Sequence, residues 1–206
     1  MVRVKICGIT NLSDAEHALR YGADALGFVF AESPRRIAPQ KAAKIIRKIG
    51  PRVAPVGVFV NEKPENVLKI AWECQLSTVQ LHGDESLATI KDIRKAGALK
   101  VIKSFRIANA ADLARIESFE ADAYLFDTKA DGRFGGTGKS FDWTLLKNAK
   151  FRRPVILSGG LKPGNIEEAV RAVCPYGVDV SSGVEKSPGK KDPKLVKEFI
   201  ERAKSV

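Results

Sequence analysis

Eight short apolar, β-rich runs alternate with eight helical patterns along this chain, and that alternation constrains its fold more than any other feature. The runs are Val2–Cys7, Ala23–Phe30, Ala54–Val60, Thr78–His82, Lys100–Phe105, Ala123–Asp127, Pro154–Ser158 and Gly177–Ser181. The helical patterns are Leu12–Tyr21, Pro39–Ile49, Pro64–Cys74, Glu85–Ala96, Ala110–Phe119, Trp143–Ala149, Asn165–Val173 and Pro193–Ala203. Strands joined by helical crossovers pair in parallel, and parallel strands covered by helices are apolar on both faces. Eight such units in 206 residues, with no linker or composition break, predict an α/β chain: a single-domain (β/α)8 TIM barrel over residues 1–206. An open doubly wound sheet usually offers a glycine fingerprint after its first strand, whereas this turn reads Cys7-Gly8-Ile9-Thr10-Asn11. Local punctuation fits the helices. Asn61 and Glu62 before Pro64, and Asp192 before Pro193, read as start signals, and Gly22 and Gly97 as stops.

Chemistry in such a barrel sits at the C-terminal ends of the strands. Those positions carry Cys7, the Ser33-Pro34-Arg35-Arg36 loop, Asn61, His82, Arg106, Asp127, Ser158 and Asp179. A thiol at Cys7 and a carboxyl at Asp127 are a usable base and acid for moving protons on a small substrate. Lys5, two residues before Cys7 on the same strand face, either reaches the site or fills a core layer. His82 reads as a wall of the site or as a structural histidine. The loops after the seventh and eighth strands bring together Gly159, Gly160, Ser181, Ser182 and Gly183. Glycine backbone and serine hydroxyls in two adjacent loops suit a phosphate, where a single loop would be an ordinary tight turn. Ala130–Ser140, with four glycines, suits a lid over a ligand or surface turns.

Composition narrows the partner. Lys and Arg outnumber Asp and Glu by 35 to 24, a net charge of +11. The basic residues are interleaved with apolar and acidic ones, which reads as solvated helix faces, and there is no basic tail or base-stacking aromatic motif. A small anionic substrate is expected, not a nucleic acid. No run approaches the roughly 18 apolar residues of a membrane span, and no leader pattern opens the chain, so a soluble, cytoplasmic protein is expected. Cys7, Cys74 and Cys174 are too scattered for a disulfide framework or a zinc site, and the latter two read as buried and inert. No metal or cofactor is expected. Monomer and homodimer both remain open.

Several segments together resemble the phosphoribosylanthranilate isomerase family of tryptophan biosynthesis. They are Val4–Thr10 (VKICGIT), Gly22–Phe30 (GADALGFVF), Ser33-Pro34-Arg35, Val56–Asn61 (VGVFVN), Val79–Gly83 (VQLHG), Asp127-Thr128, Gly135–Gly138 (GGTG), Leu157–Leu161 (LSGGL) and Asp179–Glu185 (DVSSGVE). They run in the family's order over the whole chain. The resemblance implies an Amadori rearrangement of N-(5-phosphoribosyl)anthranilate to 1-(2-carboxyphenylamino)-1-deoxyribulose 5-phosphate, the third step of the tryptophan branch from chorismate, without a cofactor. It implies Cys7 as general base, Asp127 as general acid, Asp179 as a sugar-hydroxyl contact and Arg35 against the anthranilate carboxylate, with Arg36 as the alternative arginine. Competing readings are a histidine-pathway isomerase acting on a larger bis-phosphate, indoleglycerol-phosphate synthase, and a non-catalytic phosphate- or RNA-binding barrel.

Overall fold

A computed structural model describes residues 1–97, 99–107, 110–113, 116–128, 143–147 and 149–206. Eight parallel strands pair in sequence order and β8 returns to β1, closing a barrel. They are β1 (Arg3–Cys7), β2 (Ala25–Val29), β3 (Ala54–Phe59), β4 (Thr78–Leu81), β5 (Lys100–Ile107), β6 (Ala123–Thr128), β7 (Val155–Leu157) and β8 (Gly177–Val180). The helices are α1 (Leu12–Arg20), α2 (Pro39–Ile49), α3 (Pro64–Cys74), α4 (Leu87–Lys95), α5 (Thr144–Lys147), α6 (Ile166–Val173) and α7 (Pro193–Lys204). No helix among the described residues is long and apolar enough to cross a membrane.

Strand alternation divides the core in two. Val4, Ile6, Tyr124, Phe126, Val178 and Val180 face outward into the layer shared with the helices. Val56, Ile102, Ala123, Leu125 and Ile156 fill the barrel interior. The interior parity continues upward into polar residues: Lys5 then Cys7 on β1, Gln80 then His82 at β4, Leu125 then Asp127 on β6, and Asp179 on β8. Sequence spacing alone thus aims these groups into one mouth.

The start signal read at Asp192 holds, and the structure adds side-chain caps at Asn11 and Ser86. Asn11 Oδ1 accepts from Asp14 N at 2.9 Å, Ser86 Oγ from Thr89 N at 3.3 Å and Asp192 Oδ1 from Lys194 N at 2.8 Å. Other expectations are corrected. The residue capping α3 is Lys63, with no side-chain cap bond. Asn61 instead sits in the left-handed region (φ 51°), and its Oδ1 accepts from Asp84 N at 2.7 Å. Glu85 does not begin α4. Its carboxylate turns inward to accept from Asn61 N and Gly83 N and to meet Lys103 Nζ at 2.8 Å. The Ala110–Phe119 pattern appears, among described residues, as 3-10 turns at Ala110–Leu113 and Ile116–Ser118. The three-residue spacing of Leu113, Ile116 and Phe119 fits three residues per turn better than 3.6. Cys74 is buried but Cys174 is exposed, because it takes a left-handed conformation (φ 49°) after α6 and before Pro175. Lys103 and Lys191 are buried in ion pairs and are not solvated charges, and Lys5, left open between site and core, is buried against Asp179. A small antiparallel pair, β9 (Glu185–Ser187) with β10 (Lys190–Lys191), follows β8 and has no sequence pattern long enough to announce it. The lid expected at Ala130–Ser140 lies outside the described residues.

Candidate active site

A cavity of about 1050 Å³ opens at the C-terminal end of the strands. Cys7, Asp127, His82, Arg35 and Asp179 all line it, as do the loops after β7 and β8. Most of the strand-end residues read from the sequence therefore share one mouth; Asn61 and Arg106 do not line it, Asn61 accepting from Asp84 N and Arg106 pairing with Asp84 instead. Cys7 ends β1 and Asp127 lies near the end of β6, three strands away round the closed barrel. Both are nearly buried, at 7% and 5% exposure, yet face the cavity.

Asp127 is held by its neighbours. Its Oδ2 is 3.1 Å from His82 Nε2, and His82 Nδ1 is 2.7 Å from Gln80 Nε2. The amide nitrogen of Gln80 is a donor, so its contact fits a ring that accepts at Nδ1 and directs an Nε2–H at the carboxylate. Gln80 and His82 are two apart on one strand face, so β4 delivers the whole relay to β6.

Arg35 enters from the loop after β2. Glu185, which opens β9, grips it bidentately: Nε to Oε1 at 2.9 Å and Nη2 to Oε2 at 2.7 Å. Lys191 Nζ reaches the same carboxylate at 2.9 Å. Burial alone would raise the Glu185 pKa, but Arg35 and Lys191 outweigh it and hold the carboxyl below its ordinary value. Among the described residues, the bonds to Glu185 use Nε and Nη2 of Arg35 and none is made by Nη1. Arg36 is exposed, and its backbone bridges to Val29. Gly8 makes room for Arg35, since a Cβ there would stand 2.7 Å from Arg35 Cδ and 3.1 Å from Ser181 Oγ.

The loops after β7 and β8 interlock. Gly159 and Gly160 have φ of 83° and 66°, a region glycine enters without strain. Gly183 packs so closely on the Leu161 carbonyl that any Cβ would collide with it. Ser181 Oγ is buried without a hydrogen-bond partner. An orphaned hydroxyl in a cavity wall is costly unless a ligand or water satisfies it. At the base of the mouth, Asp179 Oδ1 accepts from Lys5 Nζ at 2.8 Å and its Oδ2 lies 3.5 Å from Ser158 Oγ. Burial pulls the Lys5 ammonium down, but Asp179 and Cys7 outweigh it and leave it raised. Burial likewise pushes the Cys7 thiol up, against the pull of Lys5.

Gln80, Glu185 and Lys191 were not singled out from the sequence. Gln80 was detectable from its two-residue spacing to His82. Glu185 and Lys191 owe their place to a hairpin that no periodicity marks.

The chain matches, over residues 4–202, the family model described as N-(5'phosphoribosyl)anthranilate (PRA) isomerase. It is 52% identical over 208 residues to the N-(5'-phosphoribosyl)anthranilate isomerase of Desulforudis audaxviator, covering 100% of each. Identity to the counterpart in Geobacter sulfurreducens is 49%, covering 99% of each. The solved phosphoribosyl anthranilate isomerase of Thermotoga maritima superposes with a TM-score of 0.93 at 46% identity, over 100% of both chains. A phosphoribosyl anthranilate isomerase in complex with reduced 1-(o-carboxyphenylamino)-1-deoxyribulose 5-phosphate gives 0.89 at 44% identity, again over 100% of both. The agreement in sequence, length and fold places this chain in the phosphoribosylanthranilate isomerase family.

Proposed function

We infer that this chain isomerises N-(5'-phosphoribosyl)anthranilate to 1-(2-carboxyphenylamino)-1-deoxyribulose 5-phosphate, with one barrel carrying the whole reaction. Asp127 protonates the furanose ring oxygen, the C1–O bond opens, and the anthranilate nitrogen forms a Schiff base with C1. Cys7, as thiolate, removes the proton from C2. The resulting enamine gains a proton at C1 while the C2 hydroxyl gives up its own, leaving a ketone. Atoms and charge balance, and the protein moves only protons.

The observation that carries this reading is the thiol on β1 and the carboxyl on β6, three strands apart round the barrel, lining one mouth. Gly159, Gly160, Ser181, Ser182 and Gly183 form the phosphate end, supported by the orphaned Ser181 hydroxyl. Asp179 receives a sugar hydroxyl. Arg35, preset by Glu185, is the arginine offered to the anthranilate carboxylate; Arg36 also lines the cavity but is exposed, with no such carboxylate grip among the described residues. His82 holds Asp127 in place. All these groups come from one chain, so the reading holds for a monomer or a homodimer.

The test is product identity. Purified protein is given freshly made phosphoribosylanthranilate, and the product is examined by mass spectrometry and NMR. Unchanged mass with a new methylene beside a ketone is expected. Release of free anthranilate at the uncatalysed rate, with no ketose, would sink the reading.

A further inference from the structure

Lys5 is charged, buried and unused by the reaction as written above. Its side chain is 5% exposed and points into the barrel on the same strand face as Cys7. Its ammonium lies 2.8 Å from Asp179 Oδ1, and Asp179 is its in-register neighbour on β8. On the other side, Cys7 is in register with Gly27 of β2. A Cβ at Gly27 would stand 2.6 Å from Cys7 Sγ and 3.1 Å from Lys5 Nζ. Thiol and ammonium therefore border one gap, which glycine leaves open.

The charge around that gap does not balance. Lys5 on β1, Lys191 on β10 and Arg35 after β2 face two carboxylates, Asp179 on β8 and Glu185 on β9. Arg35 and Lys191 share Glu185, so among the described residues three cations meet two carboxylates there. Asp127, His82, Arg36, Glu32 and Glu62 line the wider mouth, and no ion pair ties any of them to Lys5, Lys191 or Arg35 among the described residues. In a poorly solvated interior, surplus charge of one sign favours an added charge of the other. A sulfur that loses its proton supplies it, and all three cations gain from that negative sulfur.

We propose that Lys5 is a positioning residue for the isomerisation: paired with Asp179 and seated beside Cys7 across the gap at Gly27, its ammonium is the counter-ion of the Cys7 thiolate. This rests on Cys7 being the base. Asp179 has a second task in this scheme. It fixes the ammonium beside the thiol while its own charge opposes ionisation of the sulfur, so Lys5 and Asp179 tune Cys7 in opposite directions.

The test reads ionisation and catalysis separately. The pH dependence of Cys7 alkylation by iodoacetamide is followed by mass spectrometry, which separates Cys7 from Cys74 and Cys174. It is measured in the full chain, wild type and Lys5→Met, beside the pH profile of kcat/KM, with folding checked by circular dichroism. Lys5→Met is expected to raise the alkylation midpoint by about one pH unit, or tenfold less thiolate at fixed pH, and to move the acid limb of kcat/KM the same way. Asp179→Asn is expected to lower the midpoint. If Lys5→Met does not fold, Lys5→Met/Asp179→Asn is compared with Asp179→Asn, and the midpoint must again rise. A midpoint that stays or falls when the Lys5 charge is removed from folded protein overturns the proposal. A shifted midpoint with full turnover in Cys7→Ala overturns instead the assignment of Cys7 as base, leaving the Lys5–Cys7 coupling intact.

Discussion

Glu185 shows how one carboxylate organises the mouth. It fixes the Arg35 fork and neutralises the buried Lys191, and the two cations hold its pKa below the ordinary value against the effect of burial. A carboxyl whose pKa falls on folding contributes stability above its unfolded pKa and loses it as pH drops through the lowered folded value. Glu185→Gln is therefore expected to cost roughly 1–3 kcal/mol at neutral pH. The gap to wild type should narrow on acidification, as measured by thermal denaturation across pH. The same variant should raise KM more than it lowers kcat, because it loosens a binding group and leaves Cys7 and Asp127 in place. At this scale the sequence was legible where a side chain ends a strand. Cys7, His82, Asp127 and Asp179 could be aimed at one mouth by counting in twos. Glu185 and Lys191 could not, since strands of three and two residues carry no period. Lys103 and Lys191 read as solvated, and Lys5 stayed open between site and core, because their carboxylate partners, Glu85, Glu185 and Asp179, are revealed only by the fold.

Among the elements, the contact between the loops after β7 and β8 is the tightest constraint. Gly183 rests on the Leu161 carbonyl with no room for a methyl group. Gly183→Ala must push one loop off the other. The expected result is a destabilisation of about 1–3 kcal/mol and a KM raised at least tenfold for the phosphorylated substrate, read by calorimetry and steady-state kinetics. The eight strands were legible because each is a short β-rich run between helical patterns. The helix starts were less so. Glu85 looked like the first residue of α4, but the orphan N–H groups of Asn61 and Gly83 and the ammonium of Lys103 draw its carboxylate inward. Ser86 caps the helix in its place. The Ala110–Phe119 segment followed a three-residue spacing that helix templates score nearly as well as their own.

The whole molecule is a closed barrel whose interior changes from apolar to ionic on approaching the mouth. Val56, Ile102 and Leu125 fill the middle, and Lys5, Asp179, Gln80 and Asp127 lie in or above that layer. The net charge of +11 fits an anionic substrate. Inorganic phosphate should bind the rim made by the last two βα loops, raising the melting temperature of wild type with saturating dependence. It should do so far less in Gly183→Ala. A phosphate-independent melting temperature in both proteins would place the anion elsewhere.

The central claim is that Cys7 and Asp127, facing each other across this mouth, perform the isomerisation. Fluorescence-monitored consumption of freshly made phosphoribosylanthranilate by wild type, Cys7→Ser and Asp127→Asn tests it most directly, with folding verified for each. The account predicts rapid consumption by wild type and kcat/KM lower by about 10²–10⁴-fold in each variant. Near-wild-type turnover in either folded variant would contradict it.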